Sequence, residues 1–219
     1  SNHPIDLGLF DFEFQFITGY LNPSNFLPSY SSFKFASHLT FVPKNRDKRY
    51  FQGFNLVITP KFFEGFSFGF IRWVQAYNEF IEANNDFFPV FDNLIRRNDK
   101  YGVQSDSLEG SRDQAAGIFI RWLWIDSNAE IYAEYHLNDS KASFRDLLLD
   151  SDHSRASTIG IQKIFDNYNY YYKFNWEWTQ LEQTASRLLR NAGSWYTHSK
   201  VRHGYTNRGE VLGAAIGPG

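Results

Sequence analysis

The glycine-rich run at residues 203–213 carries the side chains best suited to hold a ligand. Tyr205, Arg208 and Glu210 offer an aromatic ring, a cation and a carboxylate within a few positions of one another. Rings stack on flat partners, and charged groups make strong hydrogen bonds. The glycines permit sharp bends and close approach of the backbone. Two interpretations stay open for this run: a grip on a polar polymer, or a strand end followed by an irregular loop.

Catalytic and metal-binding patterns are weak elsewhere in the chain. None of the six histidines stands at a recognised metal-ligand spacing, and we interpret His136, which shares a strand face with Glu130 and Glu134, as part of a hydrogen-bond ladder. Residues 150–155 hold Ser, His and Asp, but no Gly-x-Ser-x-Gly turn supports a nucleophile, and a capped junction between helix and strand is favoured. We expect no enzyme, no cofactor and no metal. A lipase that depends on His153 is the remaining catalytic alternative.

The segment Trp176-Glu177-Trp178 suggests a carboxylate between two sugar-stacking rings. Strand alternation places Glu177 on the face opposite both rings, however. Glycoside hydrolysis also needs a second carboxyl group, and none can be assigned from the sequence. The segment alone therefore does not predict a sugar site.

Alternation with a period of two dominates the chain and predicts β-strands. Between residues 10 and 16 every even position is Phe, whereas Asp11, Glu13 and Gln15 occupy the odd ones. Short joints rich in Asn and Asp separate such segments, which favours antiparallel hairpins. The other predicted strands are 117–125, 129–137 and 168–178, with weaker ones at 33–43, 49–60, 63–76, 155–165 and 194–206, and short helices are predicted at 91–95 and 142–150.

The length and composition of these strands favour a membrane. They run about 10 to 13 residues, whereas soluble strands average about 5 to 6 and a bilayer needs about 9–11. Aromatic residues make up 19% of the chain and crowd one face of each strand, as in the girdles of membrane barrels. We therefore predict an all-β fold: an antiparallel transmembrane β-barrel, part of a larger barrel, with one or two short helices in the connections. A soluble, aromatic-rich β-sandwich is the alternative.

Composition excludes several other classes of protein. The net charge of −2 gives no bulk field to hold nucleic acid. With no cysteine, the chain has no disulfides, thiolate metal sites or cysteine nucleophile. No apolar run of 18 residues predicts a helical membrane span. The missing Met and signal segment predict a processed or excised piece, so we expect residues 1–219 to form a single barrel domain, incomplete at both ends.

The run around Tyr205 also resembles a family signature. His-Gly-Tyr-Thr-Asn-Arg-Gly-Glu-Val-Leu-Gly at residues 203–213 is similar to the Gly-Tyr-x-x-Arg-Gly-x-x-x-Gly pattern of the capsule assembly protein Wzi family. Residues 112–117, 144–163 and 176–182 resemble Bacteroidetes-type members in the same order. Together these segments span about half of the chain.

The resemblance implies a large, many-stranded barrel in the bacterial outer membrane with short helices on its periplasmic side. It implies that the protein binds capsular or exopolysaccharide and helps to anchor or assemble it at the cell surface, without catalysis. Outer-membrane lipid and other envelope proteins are the further partners expected. An outer-membrane pore for small solutes or sugars is the alternative function. The predicted polysaccharide-binding residues are Tyr205, Arg208, Glu210, Arg121 and Trp195.

Overall fold

The computed structural model describes residues 4–24, 47–81, 90–91, 112–138, 155–167, 170–181, 195–196, 198 and 201–213. These residues form one eight-stranded antiparallel sheet and a separate two-stranded hairpin. Within the described ranges, helix is confined to a single 3-10 turn at Asn78–Phe80 and to Val90 and Phe91. The predicted all-β fold is confirmed for the described part of the chain.

The strands follow one another across the sheet in chain order, and every neighbouring pair is antiparallel. Each long strand therefore pairs only with its sequence neighbours, as expected for a meander of hairpins. In order the strands are β1 (Ile5–Asp6), β2 (Phe10–Leu21), β3 (Arg49–Pro60), β4 (Phe66–Tyr77), β5 (Arg112–Trp124), β6 (Ala129–Asn138), β7 (Arg155–Asn167) and β8 (Tyr170–Leu181), and β9 (Thr206–Asn207) pairs with β10 (Glu210–Val211) in the hairpin.

The register gives the sheet two unlike faces. Ile118 lies opposite both Phe70 and Tyr135, so apolar side chains from three strands meet on one side. On the other side Gly160 lies between Tyr132 and Glu177. We call the first side the aromatic face and the second the polar face. The aromatic face comprises the even residues of β2, β3, β4, β5 and β8 and the odd residues of β6 and β7; the polar face comprises the remaining strand residues.

The aromatic face is largely exposed. Ile118, in the middle of the sheet, has 60% of its surface accessible, and Phe14, Ile159 and Trp176 are also exposed. The hairpin is the only other sheet in the described ranges, so the facing sheet required by the sandwich alternative is not seen there. Such a broad exposed apolar surface normally marks contact with a partner or a membrane.

The predicted closure into a barrel is not seen in the described residues. β1 and β8 lie at opposite edges of the sheet, and β1 pairs with only two residues of β2. A barrel forms only when the first and last strands share a ladder of hydrogen bonds, and these two do not. The strand predicted at 33–43 lies outside the described residues.

Connections differ in length at the two ends of the strands. The turns at 61–65, 125–128 and 168–169 are short, whereas the connections at 22–48, 78–111 and 139–154 are long. Asn128 has a φ of 46°, the left-handed geometry expected of Asn at a tight turn. Gly65 has a φ of 73°, and a side chain there would collide with the carbonyl of Leu123.

The structure also bears on one further predicted strand and on the two predicted helices. The strand predicted at 194–206 is wrong: Trp195 and Tyr196 form a turn, and only Thr206–Asn207 is extended at the end of this stretch. This stretch packs against the sheet instead of joining its ladder. The helix predicted at 91–95 is described only at Phe91, and the one at 142–150 lies outside the described residues. Within the described ranges, no helix is long and apolar enough to cross a membrane.

Candidate binding site at the covered end of the sheet

The described residues 195–196, 198 and 201–213, which we call the covering segment, lie over the polar face at the end with long connections. Trp195, Tyr196 and Tyr205 are buried there against the sheet. The strand residues that receive them are Ala115, Ala156 and Leu181. Because two of these three positions are alanines, the sheet leaves room for the large rings. This cluster is the main apolar core of the described residues.

Arg49 fastens the covering segment to the sheet. It is fully buried at the start of β3, and its guanidinium donates hydrogen bonds to the backbone carbonyls of Gly204 and Thr206. A third hydrogen bond, 3.2 Å long, goes to Gln75 Oε1 on β4. A buried cation is tolerated only when several acceptors surround it. These contacts therefore fix both the arginine and the path of the segment.

Asp113 completes the same buried network on β5. One of its carboxylate oxygens accepts a hydrogen bond of 2.8 Å from Gln75 Nε2, and the other accepts one of 3.0 Å from the Tyr205 hydroxyl. Arg49, Gln75, Asp113 and Tyr205 therefore form a continuous chain of polar contacts between strand and segment. Such networks hold a single arrangement when every member is bonded.

The β9–β10 hairpin projects from this network. Its two turn residues, Arg208 and Gly209, have φ values of 54° and 91°, which is the type I′ geometry of tight hairpins. Asn22 ties the hairpin to the end of β2: its N–H donates to Asn207 Oδ1 at 2.9 Å, and its carbonyl accepts from the Arg208 N–H at 3.0 Å. The hairpin tip is therefore held in place by backbone contacts.

The five predicted polysaccharide-binding residues do not lie in one place. Arg208 and Glu210 are exposed at the hairpin tip. Tyr205 and Trp195 are only 4% and 8% exposed and belong to the core under the segment. Arg121 lies eight residues along β5 from Asp113, about 26 Å away at strand spacing. The structure brings Arg208 and Glu210 together, gives Tyr205 and Trp195 anchoring positions, and leaves Arg121 apart.

Arg121 belongs to a row of polar contacts on the exposed part of the polar face. Its guanidinium lies 2.6 Å from Glu130 Oε2. Farther along β6, His136 Nε2 lies 3.0 Å from Glu134 Oε2, so one contact of the predicted hydrogen-bond ladder is present, while Glu130 pairs with Arg121 instead. The described residues contain no group of three side chains able to hold a metal ion. The row is therefore built from pairwise contacts.

Tyr132 is a site residue that the sequence patterns did not single out. Its ring lies over Gly160 of β7, and its hydroxyl donates a hydrogen bond to Glu177 on β8. Strand alternation placed Tyr132 and Glu177 on the charged faces of their own strands. Only the pairing of three strands shows that they are neighbours.

The family resemblance has no independent support, and the capsule-assembly function stays a prediction from residues 112–117, 144–163, 176–182 and 203–213. Comparison of the chain with models of protein families, with curated proteins and with solved structures finds no match.

Proposed function

We propose that this sheet is the wall of an outer-membrane β-barrel that binds capsular or exopolysaccharide and helps to anchor or assemble it, without catalysis. The observation that supports the proposal most is the exposed aromatic face, opposed by a polar face whose end is covered by the chain itself. Hydrocarbon is a medium in which exposed Phe, Ile and Trp side chains are stable. A polar face enclosed by the barrel would remain in contact with water.

The height of the aromatic band supports this proposal. In β5 the band runs from Ile118 to Trp124, and in β8 from Tyr170 to Trp178. At about 3.3 Å per residue, these stretches measure about 20–26 Å along the strand. Strands of membrane barrels tilt by about 35–45°, so these stretches cover about 14–21 Å of an apolar band that is about 25 Å tall. Beyond the band, toward the covered end, the same face carries Thr18, Gln52, Arg72, Gln114 and Gln180.

A barrel of this kind needs more strands than the eight described here. Backbone N–H and C=O groups at a sheet edge cannot remain unpaired in hydrocarbon. The outer edges of β2 and β8 therefore require partner strands in the membrane. The proposal includes such strands from other parts of the protein.

The hairpin tip is the best candidate for contact with the polymer. Arg208 and Glu210 are exposed, and the turn that carries them is fixed to β2. Arg208 occupies a left-handed conformation, which costs a residue other than glycine about 1 kcal/mol or more. Asn or Gly is the usual choice at such a position. A strained arginine at an exposed tip is what we expect of a side chain retained for binding.

The covering segment weighs against the alternative of an open pore. It fills one end of the polar face with Trp195, Tyr196 and Tyr205 and fastens there through Arg49. In a barrel this arrangement would obstruct the lumen. We therefore expect the protein to conduct ions poorly in a planar bilayer.

Membrane insertion is tested on the full-length protein by electrophoresis in SDS with and without heating. A barrel resists SDS at room temperature and changes mobility when it is boiled, because its strands remain paired until heated. A protein that migrates identically in both samples, and that does not co-purify with outer-membrane vesicles, would contradict the proposed barrel.

Polymer binding is tested by Arg208→Gly combined with Glu210→Ala. Gly suits the left-handed turn, so we expect the fold to stay intact while the polymer retained on the cell surface falls several-fold. Lys61→Ala, which removes an exposed cation at the opposite end of the strands, is the matched control and should retain polymer normally. Normal retention in the double variant at wild-type protein levels would remove the hairpin from the site.

A further inference from the structure

The Tyr132 ring forms a fixed platform on the polar face. A Cβ atom added at Gly160 would collide with this ring, so the ring lies directly over the glycine. The hydroxyl donates to Glu177 and is also hydrogen-bonded to Gln162. One side of the ring is therefore packed on the backbone of β7, and the other side is turned away from the sheet. A ring held at both its face and its hydroxyl loses little freedom when a ligand stacks on it.

A second ring on the polar face is placed in the same way. Phe119 of β5 pairs with Gly69 of β4, and a side chain at Gly69 would collide with the Phe119 ring. Phe119 also lies opposite Glu134 of β6. The polar face therefore repeats one arrangement, in which an aromatic ring covers a glycine and a carboxylate stands beside it.

The charges around these rings are mainly negative. Glu134 and Glu177 are exposed on the polar face, and each contacts one side chain there, His136 and Tyr132 respectively. The cation of Arg121 is already paired with Glu130. Carboxylates accept hydrogen bonds from hydroxyl groups. They also repel anionic polymers at short range, where salt screens them least. This part of the polar face therefore favours a ligand with many hydroxyls and no negative charge.

We propose that Tyr132, with Glu177 and Gln162 around it, is a binding site for a neutral, hydroxyl-rich sugar chain. The apolar side of a sugar ring stacks on Tyr132, and its hydroxyls donate to Glu177 and Glu134. Phe119 provides the next stacking position. Within Trp176-Glu177-Trp178, strand alternation separates Glu177 from both tryptophan rings. Glu177 instead meets the Tyr132 ring of β6, which stands on its own face of the sheet. This inference rests on the proposed function and names its substrate class.

The test measures binding of neutral gluco-, manno- and galacto-oligosaccharides, and of alginate oligomers as a polyuronate, to the detergent-solubilised full-length protein by calorimetry. We expect at least one neutral oligosaccharide to bind and alginate to bind far more weakly. Tyr132→Ala should weaken neutral-sugar binding about tenfold, the loss of one stacking contact. Tyr132→Phe keeps the ring and should retain most of the affinity.

Two further variants make the result decisive. Tyr171→Ala removes a ring that is 79% exposed on the same face but six residues along β8 from Glu177, and it should not change binding. Glu134→Gln with Glu177→Gln removes two negative charges and should raise the affinity for alginate. The heat shift in SDS reports whether each variant is folded.

The possible outcomes separate this inference from the proposed function. Unchanged neutral-sugar binding in Tyr132→Ala, or alginate binding as tight as that of neutral sugars, would overturn the inference and leave a polysaccharide-binding barrel intact. Failure of every oligosaccharide to bind would overturn both. A folded double Gln variant that still excludes alginate would contradict the charge argument and with it the substrate class.

Discussion

The two ends of the strands differ in what covers them. At the end with long connections, Arg49, Gln75 and Asp113 are buried under the covering segment, and their polar groups bond to one another and to its backbone. Toward the end with short turns, large side chains such as Ile118 and Trp176 are exposed. The same sheet thus buries charged residues at one end and exposes apolar ones toward the other.

This inversion shows that the two ends meet different surroundings. At the covered end the protein supplies the hydrogen-bonding partners that buried charges need. On the aromatic face Phe91 packs on Phe16 and Phe54, and Phe63 packs on Phe66 and Trp122. Ile118, Ile159 and Trp176 nevertheless stay exposed, so another medium or molecule must cover them. Three substitutions test this contrast, beginning with the one expected to have the largest effect.

Arg49→Met should release the covering segment. The substitution removes the donor to the Gly204 and Thr206 carbonyls and leaves Asp113 without a nearby cation, at a cost of about 3–5 kcal/mol. We expect residues 195–213 to become sensitive to protease and to exchange amide hydrogens quickly, while the heat shift in SDS persists. Arg208→Gly is the control, because it changes only the exposed tip. A segment that stays protected in Arg49→Met would show that the apolar cluster alone holds it.

Ile120→Arg tests the medium around the aromatic band, because Ile120 is exposed near the centre of the stretch from Ile118 to Trp124. In hydrocarbon near the middle of a bilayer the arginine should cost about 2–4 kcal/mol, whereas on a surface in water the change should stay within about 0.5 kcal/mol. The measurement is denaturant-induced unfolding of the protein in lipid vesicles. Tyr171→Arg on the polar face is the matched control and should be nearly neutral. Equal, small effects at both positions would contradict a membrane-facing band.

The smallest effect should come from the ionic contact at the short-turn end. Lys61 Nζ lies 2.6 Å from Asp6 Oδ1. The hydrogen bond that Lys61 donates lowers the pKa of Asp6, and the same contact raises the pKa of Lys61. The contribution of Asp6 to the free energy of unfolding is present above its unfolded-state pKa and is lost as the pH falls through the lowered pKa of the folded state. The Lys61 contribution is present below its unfolded-state pKa and is lost as the pH rises through the raised value.

Asp6→Asn should therefore lower the thermal stability slightly at neutral pH. Because both groups are exposed, the difference from wild type should shrink in about 1 M salt and disappear in acid, once the pH has fallen below the lowered pKa of Asp6. Scanning calorimetry at several pH values checks this. A difference that persists in acid would show that the effect of Asp6→Asn does not come from the charge of Asp6.

The strands could largely be predicted from the sequence, because alternation is a local property. The strand predicted at 49–60 has the bounds of β3, Arg49–Pro60. β5 begins at Arg112, five residues before the predicted start at 117. The covering segment buries Asp113 and Ala115. This part of β5 therefore lacks the alternation of apolar and exposed polar residues from which strands are predicted.

The site could be predicted only in part. Arg208 and Glu210 lie exposed at the hairpin turn, and their role in binding stays a prediction. The burial of Tyr205 was not predictable, because its partner Asp113 is 92 residues away in the chain. The Tyr132–Glu177 contact depends likewise on the register of three strands. Local patterns identify which face a residue occupies, but long-range pairing decides what stands beside it.

The meander has a consequence for the order in which the protein assembles. Every long strand can pair with the strand before it as soon as both have been synthesised, because sheet partners are sequence neighbours. The contacts of Arg49 with Gly204 and of Asn22 with Asn207 instead span 155 and 185 residues. Their loop closure needs nearly the whole sheet in place first. The covering segment is therefore the last piece to dock, and a chain stalled before that step would carry Arg49 and Asp113 on an uncovered surface.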